Sequence, residues 1–181
     1  MVGLFSTPGL ALLWIEPFAF PVALLCFAHA FAIPALQARR GARAVVAMGS
    51  KKSAASRRGE STGPERVALG LLGDLVGRAG IDVVRESGLA PYRGELGSWL
   101  VGEQGAFLVR RGAIGSRVFS WCVRVGDEDG LPAADRVAHL LLALREDEAG
   151  FATVANLNFS GSRARVAPFL QPAERAALKS V

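Results

Sequence analysis

The sequence predicts an α+β protein in which an N-terminal transmembrane helix precedes one small domain. Three observations support this prediction. An apolar run covers residues 10–36, and about 20 such residues are enough to cross the ~30 Å hydrocarbon layer of a bilayer. A segment rich in Ser, Gly, Lys and Arg follows it. The remainder shows helical and strand periodicities without an internal repeat, which is typical of helices packed on a small mixed sheet.

Residues 1–38 are predicted to form a membrane anchor, with the span itself at about residues 18–36. Trp14 is expected at the membrane interface, where amphipathic rings are enriched, and Glu16 at the edge of the span, within reach of water. His29 is the one strongly polar side chain inside the span. The favoured interpretation is a neutral imidazole that hydrogen-bonds to a carbonyl one turn away, because no second ionisable group lies at membrane depth.

Basic residues determine the predicted orientation of this helix. No Lys or Arg precedes the span, whereas seven follow it before the next acid: Arg39, Arg40, Arg43, Lys51, Lys52, Arg57 and Arg58. The positive-inside rule places such a flank in the cytoplasm. We therefore expect a single-pass protein of the cell membrane, with its N-terminus outside and residues 64–181 in the cytoplasm.

Two other interpretations of the apolar run stay open. A cleaved signal peptide needs a basic start and a short apolar core, but residues 1–9 contain no base and the run is longer than such a core. The second alternative is a helix buried in the core of a soluble protein. Either alternative leaves the chain without a membrane anchor.

Residues 39–63 predict a basic, flexible linker, because few large apolar side chains are available to offset the entropy cost of ordering. The seven basic residues are the predicted membrane-surface site, since anionic lipid head groups attract each Lys or Arg by about 1 kcal/mol. The predicted partners are the lipid bilayer, its anionic head groups and an unidentified protein. A basic tail also suits nucleic acid, but no interleaved aromatic residues are present to stack on bases, so nucleic acid is less favoured.

Residues 64–181 predict one cytoplasmic α+β domain, in the order helix, three strands, helix, strand and short helix. The last two strands show alternating apolar residues, the first two flank a short hairpin loop with glycine at both ends, and the helices show apolar residues three and four positions apart. The predicted elements are a helix at 65–87, strands at 96–101, 106–111 and 117–125, a helix at 132–148, a strand at 151–159 and a helix at 172–179. Spaced glycines leave open a break of the first helix near residues 79–80.

The sequence contains no catalytic motif of the common classes. It has no P-loop, no GxSxG elbow, no HExxH and no GxGxxG after a strand. Cys26 and Cys122 lie in separate segments without metal-ligand spacing, which suits a reducing compartment. His139 is expected on the solvent face of its helix, and the acidic turn at 127–129 is expected to be solvated. We therefore predict no catalytic residue, no metal site and no cofactor.

Two segments, GPERVALGLLGDLVG and GSWLVGEQGAFLVRRG, resemble the opening of nuclease-related (NERD-type) domains, which are similar to the restriction-endonuclease-like core. The resemblance covers residues 64–111 by motif and the rest of the domain by element order. It implies a core of one helix, three strands, a second helix and a further strand, and a chemistry in which carboxylates bind a divalent metal that activates water.

The residues at the expected catalytic positions differ from that family pattern. The resemblance places one acid near Gly97 and Ser98, and an acid-x-Lys at the end of the second strand, where this chain has Arg110 and Arg111 followed by glycine. Glu65 is the one matching acid. The resemblance therefore implies a copy of the domain without its catalytic set.

Three functions stay open at this point. The favoured one is a membrane-anchored protein whose cytoplasmic domain is a non-catalytic interaction or regulatory module. The second is a nuclease or phosphoesterase that uses Glu65 with Asp127, Glu128 and Asp129. The third is a membrane-tethered nucleic-acid binder, whose affinity would fall steeply with salt.

Overall fold

The computed structural model describes residues 20–45, 63–112, 115–123 and 131–181. The chain divides into two compact units, Met1–Arg40 and Gly41–Val181, and each is described by itself. Several residues singled out in the sequence lie outside the described ranges, namely Trp14, Glu16, Lys51, Lys52, Arg57, Arg58, Asp127, Glu128 and Asp129.

The described part of the first unit belongs to one long helix, α1 (Phe20–Val45), whose last five residues belong to the second unit. Its segment Phe20–Gln37 is long and apolar enough to cross a membrane, so the predicted apolar N-terminal helix is confirmed. The side chains of Phe20, Leu25 and Phe31 are 59%, 61% and 68% exposed. A helix in the core of a soluble domain would bury such side chains, and α1 leaves them exposed.

The polar groups inside α1 are accommodated within the helix. His29 Nδ1 donates a hydrogen bond to the carbonyl oxygen of Leu25 at 2.9 Å, in agreement with the bond predicted one turn away. Pro34 lies inside the helix, as spanning helices tolerate. The helix continues beyond the predicted start of the linker, so Arg39 and Arg40 extend it with exposed side chains.

The described part of the second unit consists of one five-stranded sheet and the helices that pack on it. Its helices are α2 (Gly63–Ser87), α3 (Ala133–Glu146), α4 (Glu148–Val154), α5 (Arg163–Val166) and α6 (Pro172–Ser180), with a 3-10 turn at Ala167–Phe169. Its strands are β1 (Ala90–Arg93), β2 (Ser98–Gly102), β3 (Gly105–Gly112), β4 (Gly115–Cys122) and β5 (Asn156–Ser162). The strands pair in the order β1-β2-β3-β4-β5, and every pair is antiparallel.

The α+β class is confirmed, but three details of the predicted domain are corrected. The sheet is antiparallel throughout rather than mixed. Strand β1 was not predicted, because four residues with a proline among them show no clear alternation. The first half of the strand predicted at 151–159 is helix α4. Phe151 and Ala155 are both buried, and their four-residue spacing fits a helix as well as a strand.

The sheet is the middle layer of the domain, with one apolar cluster on each face. Trp99, Leu108 and Trp121 face α2 and α3, and the rings of Trp99 and Trp121 lie 5.4 Å apart between centroids. Leu100 and Phe107, one position along each strand, face the C-terminal segment that includes Leu170 and Leu178. Neighbouring residues of these strands therefore point to opposite faces, and both faces are buried.

Helix α2 is kinked at Gly77, a few residues before the predicted break. Gly77 has φ +74° and ψ 176°, a backbone region open essentially to glycine alone. The kink lets the second half of α2 change direction before it reaches β1, against which it packs. The sequence left a break in this helix open and placed it at residues 79–80, whereas the kink lies at Gly77.

Replacement of Gly77 by alanine should lower the free energy of unfolding by about 1–3 kcal/mol, because a side chain strains this backbone conformation. Gly70 is the matched control. It lies in regular helix, and an added Cβ atom there would meet no other atom within 4 Å, so Gly70→Ala should raise stability by up to about 1 kcal/mol. Denaturant unfolding of the full chain in nanodiscs, followed by tryptophan fluorescence, measures both. If the two substitutions change the free energy of unfolding by the same amount, the kink assigned to Gly77 is contradicted.

Candidate functional site

An open groove of about 830 Å³ lies at the β1 edge of the sheet, beside the second half of α2. We call it the arginine groove. It is lined by Val76, Ala79, Gly80 and Val83 of α2, by the segment from Pro91 to Ser98, by Val109, Arg110 and Arg111 of β3, and by Ser180 and Val181. The described domain therefore combines apolar and cationic side chains in one concave surface.

The strand register brings the three arginines of the groove together. Arg93, the last residue of β1, pairs with Ser98, the first residue of β2, and Ser98 pairs in turn with Val109 of β3. Arg110 and Arg111 follow Val109 and extend beyond the start of β2. All three arginines consequently lie at the same end of the sheet, although 17 or more positions separate Arg93 from the other two.

Gly97 makes this close arrangement possible. Its φ is +148°, and a Cβ atom there would lie 2.7 Å from the carbonyl oxygen of Val109 and 2.9 Å from Cδ1 of Leu108. Any larger residue would therefore push the turn away from β3. The absence of a side chain allows Arg110, whose Cγ is the next nearest atom at 3.4 Å from that Cβ position, to lie directly against the turn.

The groove has an uncompensated positive charge. Arg93, Arg110 and Arg111 are exposed, and no ion pair or hydrogen bond joins their side chains to another residue that the structure describes. Arg110 is also directly opposite Arg117 on β4, and like charges in that position repel each other. Glu95 is the one acidic side chain among the lining residues. The arrangement suits an anionic ligand.

The carboxylate of Glu148, at the start of α4, holds the turn that forms one side of the groove. Its oxygens accept hydrogen bonds from the backbone N–H groups of Glu95 at 2.8 Å and Leu96 at 2.9 Å, and from Nε1 of Trp99 at 3.3 Å. Because one carboxylate accepts hydrogen bonds from all three groups, it fixes the turn between β1 and β2 to helix α4. Sequence reasoning missed this residue, because its partners lie about 50 positions earlier in the chain.

Glu65, the predicted matching acid, lies outside the set of groove-lining residues. Its carboxylate oxygens accept hydrogen bonds from the backbone N–H groups of Ala133 at 2.9 Å and Ala134 at 3.2 Å. These are the first two residues of α3, and the residue before them, Pro132, has no side chain that can cap the helix. Glu65 therefore supplies the missing cap from α2 and joins the two helices.

The remaining candidate residues do not converge on a reactive site. Within the described ranges, no group of three or more His, Cys, Asp or Glu side chains is arranged to hold a metal ion. His139 is exposed on α3, as predicted. Cys122 is a free thiol that accepts a hydrogen bond from Nδ2 of Asn158. Burial raises the pKa of Cys122 despite that bond, which disfavours the nucleophilic thiolate.

The two places where the NERD-type resemblance expects catalytic acids lie side by side in the arginine groove. Gly97 and Ser98 line it from one strand, and Arg110 and Arg111 from the next. Guanidinium groups at these places would repel a divalent cation. No protein-family model, no curated protein and no solved structure matches this chain, so its function is inferred from the chemistry of the groove and of the apolar helix.

Replacing Glu65 with alanine should lower the free energy of unfolding by about 1–3 kcal/mol, because two N–H groups at the start of α3 lose their acceptor. Glu86 is the matched control, an exposed acid on the same helix, and Glu86→Ala should change stability by less than about 0.5 kcal/mol. Denaturant unfolding of the full chain in nanodiscs measures the difference. Equal effects of the two substitutions would show that Glu65 does not cap α3.

Replacing Arg110 with threonine should raise the free energy of unfolding by about 0.2–1 kcal/mol, because the repulsion from Arg117 is removed. The gain should shrink as salt screens the charges. Arg111→Thr is the matched control, since Arg111 is exposed on the same strand but pairs with Ser116. Thermal unfolding at low and high salt measures both variants. A gain that is the same for both, or independent of salt, would contradict the assigned repulsion.

Proposed function

We propose that the chain is a single-pass membrane protein whose cytoplasmic α+β domain binds an anionic partner and catalyses no reaction. The domain would act as an interaction or regulatory module held near the inner leaflet. The arginine groove is the observation that carries this proposal, since three exposed arginines without ion pairs to described residues line it together with apolar residues. Arginine is the cation best suited to bind carboxylate or phosphate.

The anchoring part of the proposal is supported by α1 and by the distribution of charge. Phe20–Gln37 has the length and composition of a membrane span. Residues 63–181 contain equal numbers of basic and acidic side chains, so the net charge of +5 comes from the anchor and its flank. A flank of this kind both sets orientation and attracts anionic head groups. The predicted membrane-surface residues are therefore separated in sequence from the neutral domain.

The non-catalytic part of the proposal is supported by how the domain uses its carboxylates. Glu65 and Glu148 accept backbone N–H groups from other elements. Glu174, which is 5% exposed, accepts the N–H of Gln171 and completes a capping box at α6. Metal-dependent hydrolysis needs carboxylates that are free to bind the ion. The nuclease alternative would have to rely on the acids at 127–129, which lie outside the described residues.

The anchoring is tested in cells that express the full chain. We expect the protein to stay in the membrane pellet after carbonate extraction, because α1 crosses the bilayer. Protease added to intact cells should spare the domain, and protease added to inverted vesicles should digest it. Replacing the seven basic residues after the span with glutamine should increase the inverted fraction, since the positive-inside bias is lost.

Three outcomes would overturn the proposal. Release of the chain by carbonate, or digestion of the domain in intact cells, would refute the anchor or its orientation. The purified full chain, incubated with DNA and Mg²⁺, distinguishes the nuclease alternative. We expect no cleavage, and cleavage that disappears in Glu65→Gln would favour an enzyme over an interaction module.

A further inference from the structure

We propose that the arginine groove binds the phosphate of an anionic lipid head group in the leaflet to which the chain is anchored. This inference rests on the proposed membrane anchoring and adds a site and a ligand chemistry to it. The basic flank after the span attracts an anionic surface without a shaped site. The groove, in contrast, offers side chains that strands β1 and β3 hold in place.

Two of the arginines, Arg93 and Arg111, lie on the same face of the sheet and can contact one phosphate. Each guanidinium presents a planar fork of N–H donors that can engage two phosphate oxygens at once. Arg93 and Arg111 follow Pro91 and Val109 on their strands at the two-residue spacing that puts side chains on one face. Arg110, which lies between Val109 and Arg111 on the same strand, points to the opposite face, where Arg117 is its cross-strand neighbour.

The apolar part of the groove suits the rest of a lipid head group. Val83, Pro91 and Val109 line it beside the arginines, and a volume of about 830 Å³ lies within the usual range for ligand pockets. That volume is larger than a phosphate alone requires. A glycerol backbone and the first methylene groups of an acyl chain would cover the apolar residues, while the phosphate contacts the arginines.

A lipid is favoured over the other anions because the chain itself brings the groove to a bilayer. Residues 46–62, which separate α1 from α2, span at most about 60 Å even when fully extended, so anionic lipids would be present at a high effective concentration. Nucleic acid is less suited. Tyr92 is the one aromatic side chain among the lining residues. Its ring packs against the Trp99 cluster and the guanidinium of Arg145 lies 5.4 Å from its centroid, so the groove lacks the series of exposed rings on which successive bases stack.

Hydrogen exchange of the full chain tests this proposal in nanodiscs of phosphatidylcholine with and without phosphatidylglycerol. We expect phosphatidylglycerol to slow amide exchange several-fold in the turn before Ser98 and at the end of β3. The double variant Arg93→Gln/Arg111→Gln should lose this slowing. Arg78→Gln/Arg165→Gln is the matched control, since it removes the same charge from exposed positions outside the groove, and it should keep the slowing. Amide exchange at the buried residues Leu100 and Phe107 should be as slow in each variant as in the original chain, which checks that the variant is folded.

The outcomes separate this proposal from the one on which it rests. A chain that fails to enter nanodiscs refutes the anchor. If the chain enters both kinds of nanodisc but phosphatidylglycerol does not slow its amide exchange, the groove site alone is refuted. The groove site is also refuted if both double variants lose the slowing of exchange to the same extent. Soluble glycerol 3-phosphate, added to phosphatidylcholine nanodiscs at the same total concentration as the phosphatidylglycerol, should have little effect. Equal protection by glycerol 3-phosphate, or protection by DNA or polyglutamate without any by phosphatidylglycerol, would overturn the lipid assignment.

Discussion

The domain depends on carboxylates that accept backbone N–H groups from distant elements. Glu65 joins the start of α2 to the start of α3, and Glu148 joins the start of α4 to the turn between β1 and β2. Hydrogen bonds to a charged acceptor are roughly twice as strong as neutral ones, and buried N–H groups without an acceptor are costly. The helical layer is therefore tied to itself and to the sheet by specific polar contacts as well as by apolar packing.

This use of acids has an electrostatic consequence for the whole domain. The described segment is close to neutral in total charge, yet its best-placed carboxylates are occupied by N–H groups rather than by arginines. Arg85 and Asp82 form an ion pair at 3.9 Å on the exposed face of α2, whereas the arginines at the end of the sheet form none with described residues. Positive charge thus remains concentrated at one end of the sheet, where the turn held by Glu148 forms the wall of the groove.

The periodicity of apolar residues within a segment predicted most helices and strands. It could not predict features that depend on contacts between residues far apart in the sequence. Strands β2 and β3 are continuous apolar runs because both of their faces are buried, whereas helix α3 shows a clear helical repeat because one of its faces is buried. The sequence could not reveal the groove, since the meeting of Arg93 with Arg111 is determined by the register of three strands. Glu65 was noticed as an acid at a helix start, but its partners, 68 and 69 positions later, decide that its role is to cap α3.

The basic flank and the arginine groove would act on a membrane in different ways. Charges on an exposed flank attract any anionic surface, and that attraction weakens within a Debye length of about 8 Å at physiological salt. It would therefore bring the domain near the leaflet without orienting it. Arg93 and Arg111, placed on one face of the sheet by the strand register, would instead select an orientation, because both can meet one phosphate from that face only. Since residues 63–181 carry no net charge, their overall field would not orient the domain at the leaflet, whereas such a localised pair of arginines would.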